Sequence, residues 1–218
     1  MYFISLSLPP QTKKLCHEGS LEMVKCSVRE GWDTKKDSVD FYNATAASYR
    51  ELYTDEQIGK YDVALKSLRA TPVGIVLDVG CGQGSFLQRI SENSVLGVGV
   101  DVSLKMLERA KDATGSFADL LCADADYLPF KDQVFDSVFS FTLLQNMPNP
   151  SFTLCGMLRI TGRSGIVLVS FPKKSRASEE ICVWFKKNIE PWVKVDSDTI
   201  SKDHMFIFRR TPVRTVHD

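Results

Sequence analysis

The chain has 218 residues, 44% of them apolar, with 27 basic and 27 acidic side chains. That length suits one domain with a sizeable core. The balanced charge excludes a global field that would draw in nucleic acid or an anionic membrane, and leaves open only a local basic patch.

The cysteines are Cys16, Cys26, Cys81, Cys122, Cys155 and Cys182, and the histidines are His17, His204 and His217. No C-x-x-C pair occurs, and the histidines lie toward the ends, so the spacing speaks against a metal site. Cys81, Cys122, Cys155 and Cys182 stand in apolar contexts and read as reduced core residues of a cytoplasmic protein. No apolar run is long enough to span a bilayer.

Residues 1–36 carry no clear periodicity and are broken by Pro9–Pro10 and Gly31. They read as a mobile extension, with Met23 a possible natural start. The single domain is expected over residues 37–218, opening with lid helices over 37–69. Ser38 is placed to cap the first, whose Phe41, Tyr42, Ala46 and Tyr49 share a face. The stretch Tyr53-Thr-Asp-Glu interrupts that pattern. Ile58, Tyr61, Ala64, Leu65 and Leu68 then form a second stripe, stopped at Thr71-Pro72. These aromatics read first as core packing, and second, for Tyr42 or Tyr49, as a lid over a ligand.

Strand–loop–helix units follow. Ile75–Val79 is the first strand and Ser85–Ser91 the first helix. Val95–Val100 is a strand ending at Asp101, and Ser103 caps a helix to about Lys111. Ala118–Ala123 ends at Asp124, and Phe135–Thr142 is a nearly continuous apolar run. Ser151 is expected to cap Phe152–Ile160, with a turn over Gly162–Gly165 before strand Ile166–Phe171. A helix over Ser178–Asn188 and two strands near Trp192–Val195 and Met205–Arg209 complete the chain. Apolar strands alternating with helices predict a Rossmann-like, doubly wound α/β sheet of about seven strands. It should be mostly parallel, with an antiparallel C-terminal hairpin closing one edge.

The chemistry concentrates at Ile75–Phe86, IVLDVGCGQGSF. An apolar strand ends in an acid and then in Gly80, Gly82 and Gly84, which bare the backbone for a close ligand. Asp78, Asp101 and Asp124 fall near the ends of three successive strands, where such sheets bind ligands. Buried carboxylates are costly unless paired, so three in register point to a polar ligand. Asp126 is a rival for the role of Asp124. The glycine spacing departs from the G-x-G-x-x-G of a nicotinamide site.

Four ordered motifs, LDVGCGQG, GVGVD, CADADYLPF and FDSVFSFTLLQNMPNP, resemble those of class I S-adenosylmethionine-dependent methyltransferases, the type 11 or UbiE-like branch. The resemblance covers Asp37 to Phe171. It implies that the loop Gly80, Cys81, Gly82 and Gly84 packs on the cofactor's amino-acid portion, with Asp78 bonding its amino group. It implies that Asp101 takes both ribose hydroxyls and Val102 packs on the adenine. Asp124 and the Ala125 backbone would read the adenine edge, and Phe141 would line the methionine side. Leu104 and Leu128 read as packing.

The acceptor is not encoded so plainly. Gln145 and Asn146, in the segment after strand four, and Tyr49 are candidates to touch it. The nitrogen-methylating Asn-Pro-Pro-Tyr signature is absent, and the family's usual turn before strand five is altered to Thr-Gly-Arg-Ser-Gly. Lys173, Lys174 and Arg176 read as solvated surface or as a patch for an anionic acceptor, with Lys186, Lys187, Arg209, Arg210 and Arg214 later in the chain. The expected partner is a small or medium acceptor. The alternatives are tRNA or a translation protein, met with a small activator subunit, and a cofactor-binding module without catalysis.

Overall fold

The protein is described from a computed structural model covering residues 28–46, 49–69, 74–91, 96–175, 179–181, 183–184, 192–200 and 203–210; in the first two helices, side chains are described for 35–46 and 57–67. The expectations for residues 1–27, for Arg176, and for Cys182, Lys186, Lys187 and Arg214 lie outside the described residues.

The main elements among the described residues are five helices and seven strands. They are α1 Val28–Thr45, α2 Tyr49–Arg69, β1 Ile75–Val79, α3 Ser85–Ile90, β2 Leu96–Asp101, α4 Leu104–Thr114, β3 Ala118–Cys122 and β4 Phe135–Phe141. Then come α5 Pro150–Ile160, β5 Thr161–Pro172, β6 Trp192–Ile200 and β7 Asp203–Arg210. Short 3-10 turns cover Ala125–Tyr127 and Leu144–Asn146.

One seven-stranded sheet runs β3-β2-β1-β4-β5-β7-β6. The pairs among β1 to β5 are parallel, and β7 runs antiparallel to both β5 and β6. The expected hairpin is present, with β7 inserted beside β5 and β6 at the edge.

Period-two alternation explains why both faces are covered. Leu77, Val79, Val138, Val167, Val169, Phe206 and Phe208 enter one core with Leu154, Met157 and Ile181. Val76, Phe139, Ile166, Leu168, Met205 and Ile207 enter the other with Ala64, Phe86, Leu87 and Leu107. Burying a large apolar side chain contributes about 1.5–3 kcal/mol, so these two layers supply the main drive to fold.

Several expectations need correction. α1 starts at Val28, so the boundary drawn after Lys36 falls inside a helix, and Ser38 is helical rather than a cap. α2 runs unbroken through Tyr53-Thr-Asp-Glu. α5 is capped by Asn149, whose Oδ1 accepts from the Phe152 backbone N–H at 2.9 Å, and not by Ser151. Pro150 at its first position explains the shift, since it lacks the N–H a cap would satisfy there. The expected turn over Gly162–Gly165 lies within β5, as a register shift between Phe135 and Ser137 of its β4 neighbour. Cys81 is buried, but Cys122 is exposed and Cys155 half-buried. Phe41 is 52% exposed and is not core.

Candidate functional site

A cavity of about 410 Å³ opens at the carboxyl ends of β1, β2 and β4, roofed by α1 and α2. Strand order reverses here, because β1 lies between β2 and β4. Asp78, Gly80, Cys81, Gly82, Asp101, Val102, Asp124, Ala125, Phe141 and Asn146 all line it.

Gly84 lines no part of it among the described residues. It begins α3 at φ 74°, and an added Cβ would stand 3.0 Å from Thr114 and 3.1 Å from Ala110. Its bareness serves packing against α4. Gly82 differs: at φ 52°, an added Cβ would meet nothing within 4 Å. Its open side is space for a ligand, and the backbone conformation disfavours any side chain.

Asp78 lies on the floor, 2% exposed, with Oδ1 lacking any hydrogen-bond partner among the described residues. Burial, with the Asp101 charge added, pushes it up to about 8. Cys81 beside it is pushed well above the ordinary thiol range by burial, then by Asp101 and Asp78. The thiol is therefore inert.

Asp101 is better provided. Its carboxylate accepts from the Gly82 backbone N–H at 2.9 Å and the Ser103 N–H at 2.8 Å. Burial raises its pKa, and backbone N–H groups of Ser103, Gly82 and Val102 pull against that. Asp101 thus ties the glycine loop to the start of α4, where Ser103 accepts from Met106 N–H at 3.2 Å as the expected cap.

Asp124 accepts from the Asp126 N–H at 3.0 Å, which starts the 3-10 turn. It also meets Lys35 of α1, at 2.8 and 2.7 Å from its two oxygens. The same ammonium lies 2.5 Å from Asp126. Asp126 is held in turn by the Thr153 hydroxyl, and burial raises its pKa against the pull of Lys35.

At the other end, β4 hands over to a strained residue. Thr142 has φ 55°, rare for a β-branched side chain. Its hydroxyl oxygen accepts from Lys60 at 3.1 Å and Gln57 at 3.3 Å, and its carbonyl accepts from the Gln145 side chain at 2.5 Å. Gln145 thus braces the loop and does not line the cavity. Asn146 does, donating to the Tyr42 hydroxyl at 2.9 Å. Phe141 packs edge-on to Tyr61 of α2 with ring centroids 5.0 Å apart. The Tyr49 side chain lies outside the described residues. Lys173 and Lys174 do not line the cavity.

Sequence reading missed Lys35, Gln57 and Lys60. Lys60 carried a signal: it stands four residues before fully buried Ala64, on the apolar face of α2. Lys35 carried none, being 89 residues from its partner.

Among the described residues, no helix is long and apolar enough to cross a membrane, and no three metal-ligating side chains cluster.

Residues 77–169 match a family described as a methyltransferase domain. That match takes in the centre of the chain. The resemblance seen in the four motifs is borne out. The chain is 36% identical over 120 residues to malonyl-[acyl-carrier protein] O-methyltransferase of Hamiltonella defensa, 54% of this chain and 45% of that protein. It spans about half the length of such curated relatives. Magnesium protoporphyrin IX methyltransferase from Synechocystis, solved with bound S-adenosylmethionine, superposes with TM-score 0.69 at 21% identity, over 82% of this chain and 98% of that one. A methyltransferase in complex with the Trm112 activator from Haloferax volcanii gives TM-score 0.64 at 18% identity, over 78% and 98%. These two likenesses are of fold.

Proposed function

We propose that the protein is an S-adenosylmethionine-dependent methyltransferase acting on a small or medium acceptor. The observation that carries this is Asp78: a buried carboxylate with an oxygen unpartnered among the described residues, facing a cavity that also holds Asp101 and Asp124. An ammonium group is the chemistry that would satisfy it, through a charge-assisted bond. The domain's match to methyltransferases and the bare Gly82 backbone support the same reading.

Asp78 would hold the amino group of the cofactor, directly or through water. Gly80 and Gly82 would admit its carboxylate end, Asp101 its ribose hydroxyls, and Val102, Asp124 and Ala125 its adenine. When bound, the cofactor supplies an activated methyl group on a sulfonium. The protein then has to align an acceptor and exclude water. Phe141, Tyr61 and Ile58 would form the dry wall beside the reacting centre. Tyr42, Gln57, Thr142 and Asn146 would hydrogen-bond the acceptor. The free thiols Cys81 and Cys122 suit the reducing cytoplasm.

The test is calorimetric binding of S-adenosylmethionine followed by transfer of a labelled methyl group into extract sorted as RNA, protein and small molecules. Binding lost in Asp101→Ala, with label in the small-molecule fraction, is expected. No binding at millimolar cofactor would overturn the reading. Label in RNA or protein would overturn the acceptor class. Binding without transfer to any fraction would leave a cofactor-binding module.

A further inference from the structure

Lys35 stands on α1 where no motif marks it, yet its side chain is only 9% exposed. Its ammonium meets both oxygens of Asp124 and one of Asp126, and lies 5.7 Å from the Tyr127 ring centroid. Burial alone would drive the proton off. The two carboxylates outweigh that and hold the pKa above the ordinary lysine value. The Thr153 hydroxyl fixes Asp126 from α5, so Lys35 is seated against a rigid partner.

The acceptor positions on Asp124 can be counted. A carboxylate offers about four. Oδ1 accepts from Lys35 and from the Asp126 backbone N–H, and Oδ2 accepts from Lys35. Among the described residues, that leaves one position, on Oδ2 of a residue that lines the cavity. An exocyclic amine has two N–H groups, and one of them would fill that open acceptor.

We infer that Lys35 is a positioning residue that fixes Asp124 so that its remaining acceptor position reads the 6-amino group of the cofactor's adenine. This rests on the function proposed above. The rest of α1 is tied down around the same rim, which keeps Lys35 in register. Asn43 accepts from Ser103 at 2.6 Å, beside Asp101. Tyr42 accepts from Asn146, and the carbonyl of Ala46, just past the helix, accepts from the Gln83 side chain in the glycine loop. Without Lys35, Asp124 could turn, and two like charges at 124 and 126 would repel.

The experiment measures dissociation constants for S-adenosylhomocysteine and its 6-deamino analogue, on the full chain and on Lys35→Met and Lys35→Arg. The full chain should prefer the amine by about tenfold or more, the size of one hydrogen bond to a charged group. Lys35→Met should shrink that preference below about threefold, and Lys35→Arg should restore most of it. If Lys35→Met does not fold, Lys35→Gln, which keeps one donor, carries the same comparison. An unchanged preference with both ligands weakened alike would make Lys35 a structural strap and overturn the inference. Equal binding of both ligands by the full chain would overturn it too. No binding of either would overturn the function itself.

Discussion

Asp78, buried, and Asp101, half-buried, are two carboxylates that repel, and only Asp101 is compensated. Asp101 takes two backbone N–H groups, whereas Asp78 keeps an oxygen unpartnered among the described residues and is pushed up to about 8 by burial and by its neighbour. Cofactor binding should therefore depend on pH. Below about 8 the free protein holds Asp78 protonated, and seating an ammonium must release that proton. Above about 8 an α-amino group loses its own charge. Affinity should peak near pH 8 and fall on both sides. The acid limb should vanish in Asp78→Asn, with weaker binding throughout. Calorimetry in buffers of different ionisation enthalpy should count about one proton released per ligand at pH 6.5. No proton release would sink the assignment.

The same carboxylate costs stability. Its folded pKa lies above the ordinary 3.8, so between about 4 and 8 the folded protein binds a proton that the unfolded chain does not. Stability from this group therefore falls as pH rises through that window. Asp78→Asn should raise the melting temperature of the ligand-free protein, and raise it more at pH 8 than at pH 5. A buried charge removed without loss of volume suggests a gain of about 1–3 kcal/mol at the higher pH. A melting temperature lowered at both pH values would contradict it.

Two glycines of one loop should separate binding from packing. Gly82→Ala meets no atom, so it costs about 1 kcal/mol of backbone strain and little else. Its methyl group would occupy the ligand's approach, and cofactor affinity should drop by tenfold or more. Gly84→Ala meets Thr114 and Ala110 at about contact-breaking range, 3.0 and 3.1 Å, on top of the same strain. It should cost about 2–4 kcal/mol in stability. Denaturant melts beside binding isotherms would show whether the two effects divide this way.

How much of this was legible in the chain follows from which signals are local. The apolar runs Ile75–Val79 and Phe135–Phe141 report burial within each strand, so sheet and strand-end acids could be read directly. Nine of the ten cofactor-facing residues expected from the motifs line the cavity; Gly84 packs elsewhere. The start of α1 was not legible, because VREGWDTKKDS has few apolar residues to set a period and its anchor, Lys35, closes on partners 89 residues away. Gly162–Gly165 read as a turn because glycine marks turns and bulges alike, and only the pairing with β4 tells them apart. Gln145 and Asn146 looked equivalent. One braces Thr142 and the other faces the cavity and bonds Tyr42, contacts made only once the chain is folded.

Lys60 and Asp203 join the roof to the C-terminal hairpin. Their charged atoms lie 2.5 Å apart and both side chains are 1% exposed. Removing one partner strands the other without water, so Lys60→Met alone should cost about 3–5 kcal/mol. Replacing both, as Lys60→Met with Asp203→Leu, removes both desolvation penalties and should recover most of that loss. Urea denaturation of the two single variants and the double closes the cycle. Lys60 also donates to Thr142, which holds φ 55° at the end of β4. The double variant should therefore fold well and bind cofactor normally, yet transfer methyl groups several-fold more slowly, because the loop carrying Asn146 loses a brace. Full activity in the stable double variant would show that Gln57 and Gln145 hold Thr142 unaided.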